Sequence, residues 1–333
     1  MLVSRDVCIR SEQVRSAIDT ADLNRARALV FHWLNDWANL LPHNPTLRDL
    51  RQPELWHALA AVVERTSDHY LIERFWQVLD RLPPEPYSST DIPLLGVPIL
   101  NRFDLLERLL DSLDYPVDTL AIVDNSIAPD GYPGIGSPLA SRLDELSQLR
   151  HPLIRQIRIA RPFCNIGVAA SWNMILMSFP QAPFALLVNN DVVLAPGVLA
   201  SAMQRINPSR AQLLTLIPDP NGFSAFLLTA LCWDRLGLFD TSFHPAYCED
   251  LDYRDRLRND TSIDQLDGSF AHVAMAQLNN EHSATIDSDA TLSHFNRTSY
   301  ALNRLWYFSQ RRLRQDPRGT WRRLWLAQWR DES

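Results

Sequence analysis

Lysine is missing altogether: the 32 basic side chains of this 333-residue chain are all arginine. That bias by itself supports no mechanism. Positive charge is nevertheless in short supply, with a formal net charge of −7, which argues against bulk nucleic-acid binding. Cysteine is scarce too. Cys8, Cys164, Cys232 and Cys248 lie far apart with no C-x-x-C pair, which argues against a structural zinc site or a disulfide scaffold and for a reducing compartment. No uncharged apolar run is long enough to span a bilayer, and Arg5, Asp6, Arg10, Glu12 and Arg15 interrupt any leader-like apolar stretch. A cytoplasmic location is the expectation. Neither G-x-G-x-x-G nor G-x-x-x-x-G-K-[ST] occurs, which counts against a dinucleotide or P-loop enzyme.

What is present is ample core-forming sequence, 46% hydrophobic against 21% charged, in a chain long enough for one large domain or two. Residues 11–82 carry apolar side chains at helical spacing. Ala28, Leu29, Phe31, Trp33 and Leu34 mark one helix. Leu55, Leu59, Val62 and Val63 mark a second that opens near Pro53, and Tyr70, Leu71, Phe75, Val78 and Leu79 a third. A Pro-rich stretch at 83–89 cannot continue a helix and reads as a linker. Beyond it strands and helices alternate. Strands are expected at 92–100, 120–123, 154–160, 184–188, 212–216 and 223–231, and helices at 104–113 and 167–179. That alternation predicts a mostly parallel, helix-covered α/β sheet whose strand ends gather Asn101, Asp124 and Asp191 on one edge. The expected division is a helical accessory domain with linker at 1–88, an α/β domain at 89–295, and an Arg/Trp-rich helical tail at 296–333.

Within the α/β region the most informative stretch is L-L-V-N-N-D-V-V-L at 186–194, where an apolar strand delivers Asn189, Asn190 and Asp191 together. A turn is the competing reading, since Asn and Asp favour turns. A second acidic station follows in Y-C-E-D-L-D-Y-R at 247–254. Glu249, Asp250 and Asp252 fall there within about one and a half helical turns, and a carboxylate held near a second acid suits a general base. The i,i+4 pairs Asp250 with Arg254 and Asp252 with Arg256 equally describe a salt-bridged face. Asp124 closes a strand and can accept from a ribose hydroxyl or a base N–H; an Asx turn is the alternative. The small residues of N-I-G-V-A-A-S-W-N at 165–173 start a helix whose N–H groups favour phosphate, or they simply pack closely.

Five pieces in order resemble the inverting family-2 glycosyltransferases with the GT-A fold, and in particular their rhamnosyltransferase-like branch. They are V-P-I-L-N-R at 97–102, I-V-D-N-S at 122–126, N-I-G-V-A-A-S-W-N at 165–173, L-L-V-N-N-D-V-V-L-A-P-G at 186–197, and G-L-F-D-T-S-F through Y-C-E-D-L-D-Y-R at 237–254. The resemblance covers about two thirds of the chain and implies a Rossmann-like GT-A sheet flanked by helices, with a helical N-terminal segment and a helical tail outside it. It implies that Pro98, Asn101, Arg102, Asp124, Asn125, Asn165, Gly167, Asn173, Asn189 and Asn190 bind a nucleoside diphosphate sugar. Asp191 would hold Mn²⁺ or Mg²⁺, with His272 as a further ligand and His282 as the second choice. Asp250 would be the base for a glycan or lipid-linked acceptor hydroxyl, with Glu249 and Asp252 beside it. Asn stands where the family motif begins with Asp, which weakens metal affinity because a neutral amide replaces an anionic ligand. The rival functions are nucleotidyl transfer on the same type of sheet and a catalytically degenerate binding scaffold. The N-terminal helices are candidates for oligomerisation, and the tail beyond Asn303, with Arg interleaved among Trp and Leu, for peripheral membrane contact.

Overall fold

The computed structural model describes residues 2–41, 51–79, 90–126, 137–266, 274–275 and 290–310. The chain divides into two compact units, Met1–Tyr87 and Ser88–Ser333. In the first, α1 (Leu2–Asp19), α2 (Leu23–Leu40), α3 (Pro53–Thr66) and α4 (His69–Leu79) enclose a core around Val30, Leu34, Leu55, Val62 and Leu71. Asp22 caps α2 by accepting from the Arg25 amide, and Pro53 opens α3 where its missing N–H costs nothing. Helix α1 starts before the region of helical pattern in the sequence, and Val14 and Ala17 are buried among its described side chains. Tyr70, read as a core marker, is exposed and stacks on Phe31 at 5.7 Å.

The second unit runs β1 (Ile92–Ile99), α5 (Phe103–Asp111), β2 (Val117–Asp124), α6 (Pro138–Gln148), β3 (Ile154–Ala160), α7 (Gly167–Ser178) and β4 (Phe184–Val188). Then come β5 (Val192–Val193), α8 (Val198–Met203), β6 (Gln212–Thr215), β7 (Ala225–Thr229), α9 (Ala230–Leu236), α10 (Glu249–Asn259), β8 (Asp264–Leu266), β9 (Ala274–Met275) and α11 (Ala290–Gln310). Seven strands form one sheet in the order β3-β2-β1-β4-β7-β6-β8. The first four are mutually parallel, β7 is antiparallel to both its neighbours, and β8 is parallel to β6. This is the expected helix-flanked, mostly parallel α/β sheet.

Every residue of β1 is buried, as a strand covered on both faces requires. On one face Trp172 and Ile175 of α7, Cys232 and Trp233 of α9, and Tyr253 and Leu257 of α10 share a core with Leu94, Leu187 and Phe226 of the sheet. Aromatic rings knit that layer: Trp172 meets Phe226 at 5.2 Å and Phe239 at 4.9 Å, and Phe239 stacks on Tyr253 at 4.2 Å.

Two departures from the sequence reading have local causes. Helix α6 was not anticipated, although Ser137 accepts from the Ala140 amide and Pro138 takes the first helical position, a start signal obscured by the preceding Gly/Pro run. The segment read as a strand at 223–231 keeps strand geometry only at Ala225–Thr229, between a 3₁₀ turn (Gly222–Ser224) and α9. Helix α11 also crosses the 295/296 boundary at which the sequence reading separates the tail. The linker at 83–89, the Gly/Pro loop at 131–136, His272, His282 and the tail from 311 onward lie outside the described residues.

Candidate active site

Parallel pairing brings the carboxyl ends of β1, β2, β3 and β4 to one edge, and the strand order reverses between β1 and β4. A crevice outside such a reversal is where open α/β sheets place ligands. Asn101 follows β1 and the Asn189–Asn190–Asp191 triplet follows β4, so the two flank this point. The Asn190 amide reaches the Asn101 carbonyl at 3.4 Å. The triplet is both things the sequence allowed, a strand end and a turn, closed by the Val192 amide on the Asn189 carbonyl at 3.2 Å. Asp191 is 3% exposed, and the buried Oδ1 of Asn189 has no hydrogen-bond partner among the described residues. A buried, unsatisfied carbonyl oxygen beside a buried carboxylate is costly unless something binds there. Both are hard oxygen donors of the kind Mg²⁺ and Mn²⁺ accept together with substrate phosphates. No three His, Cys, Asp or Glu side chains converge into a metal-binding group among the described residues.

Along the same edge, the other residues expected at the donor also make contacts within the protein. Asp124, 1% exposed, accepts from the Ser126 amide at 3.0 Å and from Arg161 Nε at 3.3 Å, and Arg161 also binds Asp144 at 2.6 Å. Arg161 is thus the charged neighbour that the sequence reading missed. Asn125 ties three elements: its amide N–H reaches the Ile99 carbonyl at 2.7 Å, its side chain donates to Ser171 at 2.8 Å, and it accepts from the Ile166 amide at 3.0 Å. Asn173 is withdrawn into the core. It donates to the Phe239 carbonyl at 2.8 Å and accepts from the Phe239 amide at 2.9 Å, using both ends of its side-chain amide. Pro98 is buried in β1 opposite Val123, past the last β1–β4 pair, where no ladder donor is needed. Arg102, in the left-handed region at φ 54°, pairs with Asp104 at 2.7 Å.

The start of α7 is less open to phosphate than its small residues suggest. Asn165 accepts from the Gly167 amide at 2.9 Å, and the Val168 amide donates to the Pro245 carbonyl at 2.7 Å, so two of the first N–H groups are already used. Gly167 has φ +79°, and a Cβ there would lie 2.6 Å from the Pro245 oxygen. Only glycine fits this crossing. The same crossing links α7 to the loop that leads into the acid cluster.

That loop, 244–248, ends with Tyr247 and Cys248 both left-handed, at φ 79° and 73°. Non-glycine residues there are disfavoured by about 1–2 kcal/mol each, and the surrounding structure must hold them. Helix α11 does so. Asn303, fully buried, donates to the Ala246 carbonyl at 2.7 Å, the Tyr247 carbonyl at 3.2 Å and the His244 carbonyl at 3.3 Å. Trp306 packs on Phe243 and Cys248. No local sequence signal marks Asn303, because the contact joins residues 56 to 59 positions apart.

The turn delivers three carboxyls to the first turn of α10 in three different states. Glu249 is 6% exposed with Oε2 lacking a partner among the described residues, and burial followed by the charge of Asp250 raises its pKa well above the ordinary value. Asp252 is raised by burial and opposed by Arg256, its ion-pair partner at 3.0 Å. Asp250 is half-buried, and desolvation raises its pKa against the pull of Arg254 and nearby backbone N–H groups. Arg254 itself pairs with Asp219 at 2.9 Å and lies over the Phe223 ring, so the expected Asp250–Arg254 bridge is replaced, while Asp252–Arg256 forms as expected. Asp250 and Asp252 are both partly exposed with raised pKa values, and of the two Asp252 is tied up in an ion pair with Arg256 while Asp250 forms none among the described residues.

No protein-family model matches the chain, and no curated protein matches it. Among solved structures it is similar to a crystal structure of S. aureus TarS 1–349, with a TM-score of 0.38 and 15% identity over 54% of this chain and 59% of that one. It is also similar to the catalytic domain of Drosophila beta1,4-galactosyltransferase 7 in complex with xylobiose, with a TM-score of 0.36 and 12% identity over 57% of this chain and 72% of that one. The chain therefore spans less than two thirds of the TarS structure's length.

Proposed function

We propose that the chain is an inverting glycosyltransferase that moves a hexose or deoxyhexose, with rhamnose as the named candidate, from a nucleoside diphosphate sugar to an acceptor hydroxyl of a glycan or lipid-linked glycan. The observation that carries this reading is the bond from the Val168 amide to the Pro245 carbonyl. It fastens the loop bearing the candidate base to the helix that starts beside the nucleotide-side strand ends, so base and donor crevice belong to one rigid arrangement.

In this reading the donor lies along the β1–β4 crevice, where Asp191 and the Asn189 oxygen would hold a divalent cation. The cation, when bound, neutralises negative charge on the departing diphosphate. Asp250 takes the proton of the acceptor hydroxyl as that oxygen bonds to the anomeric carbon, and the bond from that carbon to the diphosphate oxygen breaks with its electron pair. Burial makes Asp250 a stronger base than an exposed carboxylate, with the positive charge of Arg254 opposing that shift. Asp124 meets the nucleoside with its Arg161 partner in place. The N-terminal helical unit acts as an accessory domain in oligomerisation or acceptor recruitment, and no helix among the described residues is long and apolar enough to cross a membrane.

The test is ³¹P NMR of the chain incubated with Mn²⁺ and a panel of sugar nucleotides. Release of a nucleoside diphosphate supports transfer. Release of a sugar 1-phosphate, its nucleoside monophosphate having been transferred, supports nucleotidyl transfer, and unchanged donors with every sugar nucleotide overturn the catalytic reading.

A further inference from the structure

Three unrelated segments meet at the 244–248 loop: the start of α7 through Val168 and Gly167, the start of α10 through Cys248, and α11 through Asn303. On α11 Ser299, Asn303 and Trp306 are buried at helical spacing, Asn303 and Trp306 against this loop, and Tyr307 donates to Asp255 of α10. Tyr300 adds an edge-on contact with Tyr247 at 5.5 Å. Helix α11 therefore braces the loop that leads into the acid cluster, and the Asn303 side-chain amide grips the loop backbone directly. Its two N–H bonds draw three carbonyls together and hold the consecutive left-handed residues Tyr247 and Cys248 immediately before Glu249 and Asp250.

We infer that Asn303 is a positioning residue for Asp250: its amide fixes the turn that sets the direction in which α10 presents the carboxylate to the acceptor. The inference rests on the reading of Asp250 as the base. An apolar side chain of similar size, as in Asn303→Leu, keeps the packing and removes the donor. The turn then loses the grip that offsets its left-handed backbone, and Asp250 departs from its productive direction. A misplacement of about 1 Å costs about 10²-fold in rate.

The loop carries its own reporter. Cys248 is 2% exposed, and burial followed by the charges of Glu249 and Asp250 pushes its thiol up to about 12. Cys232, in the main core, is likewise buried and pushed up to about 12, whereas Cys8 and Cys164 are exposed. In a chain carrying Cys8→Ser and Cys164→Ser, alkylation by iodoacetamide followed by peptide mass spectrometry reads the loop at Cys248 and the global fold at Cys232. With Asn303→Leu added, kcat falls about 10²-fold, nucleotide affinity holds, the acid limb of the pH–rate profile moves, and Cys248 alkylates faster while Cys232 does not. Asn303→Gln, which restores the amide on a longer stem, recovers part of the rate. An unchanged kcat and pH profile overturns the inference, and so does equal acceleration at Cys248 and Cys232, which marks general destabilisation. A parent chain that turns over no sugar nucleotide defeats the reading of Asp250, while the ratio of Cys248 to Cys232 alkylation still decides whether Asn303 holds the turn.

Discussion

The two halves of the second unit's sheet place their polar groups by different means. On the β1–β4 side, parallel strands end together, and Asn101, Asp124 and Asp191 reach the edge by the geometry of their own strands. On the β7–β8 side the acids sit on a helix rather than a strand end, and a left-handed turn held from α11 sets where that helix starts. Local pattern is enough to locate the first group. The second depends on contacts between residues far apart in the chain, so a single distant substitution should disturb it while leaving the first intact.

The largest effect that separates the halves is expected from Asp250→Asn. Removing a general base lowers turnover by about 10²–10⁴-fold, while nucleotide affinity measured by calorimetry stays nearly unchanged, because the donor edge keeps its strand ends. Wild-type turnover in this variant would shift the base to Glu249 or Asp252.

Asn173→Ala sharpens the comparison from the other side, since the resemblance puts Asn173 at the donor and the structure spends it on Phe239. Leaving the buried amide and carbonyl of Phe239 without partners costs about 2–4 kcal/mol of stability by urea denaturation, with donor affinity little altered in the folded fraction. A donor-binding role predicts the reverse, a stability change within about 0.5 kcal/mol and weakened binding.

Asp191→Ala is expected to weaken donor affinity about tenfold, equivalent to about 1.4 kcal/mol, and EDTA should do the same to the unaltered chain. Calorimetry that finds equal nucleotide affinity with and without Mn²⁺ removes the cation from the account.

The smallest effect is a pH dependence of stability. Glu249 has a folded pKa raised above its unfolded value, so its contribution is fully present below the unfolded pKa, near 4.5, and is lost as pH rises towards the raised value. Glu249→Gln, which cannot ionise, should flatten that decline in urea denaturation followed upward from about pH 4.5. An equal slope in both chains would mean that Glu249 ionises in the folded protein as readily as in the unfolded one.

Much of the fold could be read in the sequence because its signals are local. The strands at 154–160 and 184–188 have their expected limits, and Pro53 opens α3. The strand reading after 223 runs too long because Phe223 to Leu231 is apolar apart from Ser224 and Thr229, and nothing in composition separates a buried strand from the turns and helix that continue it. At the site, residue types and their order single out Asp191 and Asp250 as candidates. They cannot show that Asn173 bonds to Phe239 and Asn125 to Ile166, or that Arg161 stands beside Asp124, because each fact is a side-chain contact across at least 37 residues. The same holds for Asn303, which looks like any polar residue in a helix until α11 is folded onto the acid loop.

The account's central claim is a single direct displacement with Asp250 as base, and the configuration of the transferred sugar tests it most directly. With a donor that the chain turns over, the ¹H NMR coupling constant at the anomeric position of the first-formed product reports whether the anomeric centre has been inverted. The account predicts inversion relative to the donor, abolished together with turnover in Asp250→Asn. A product that retains the donor's configuration would contradict it.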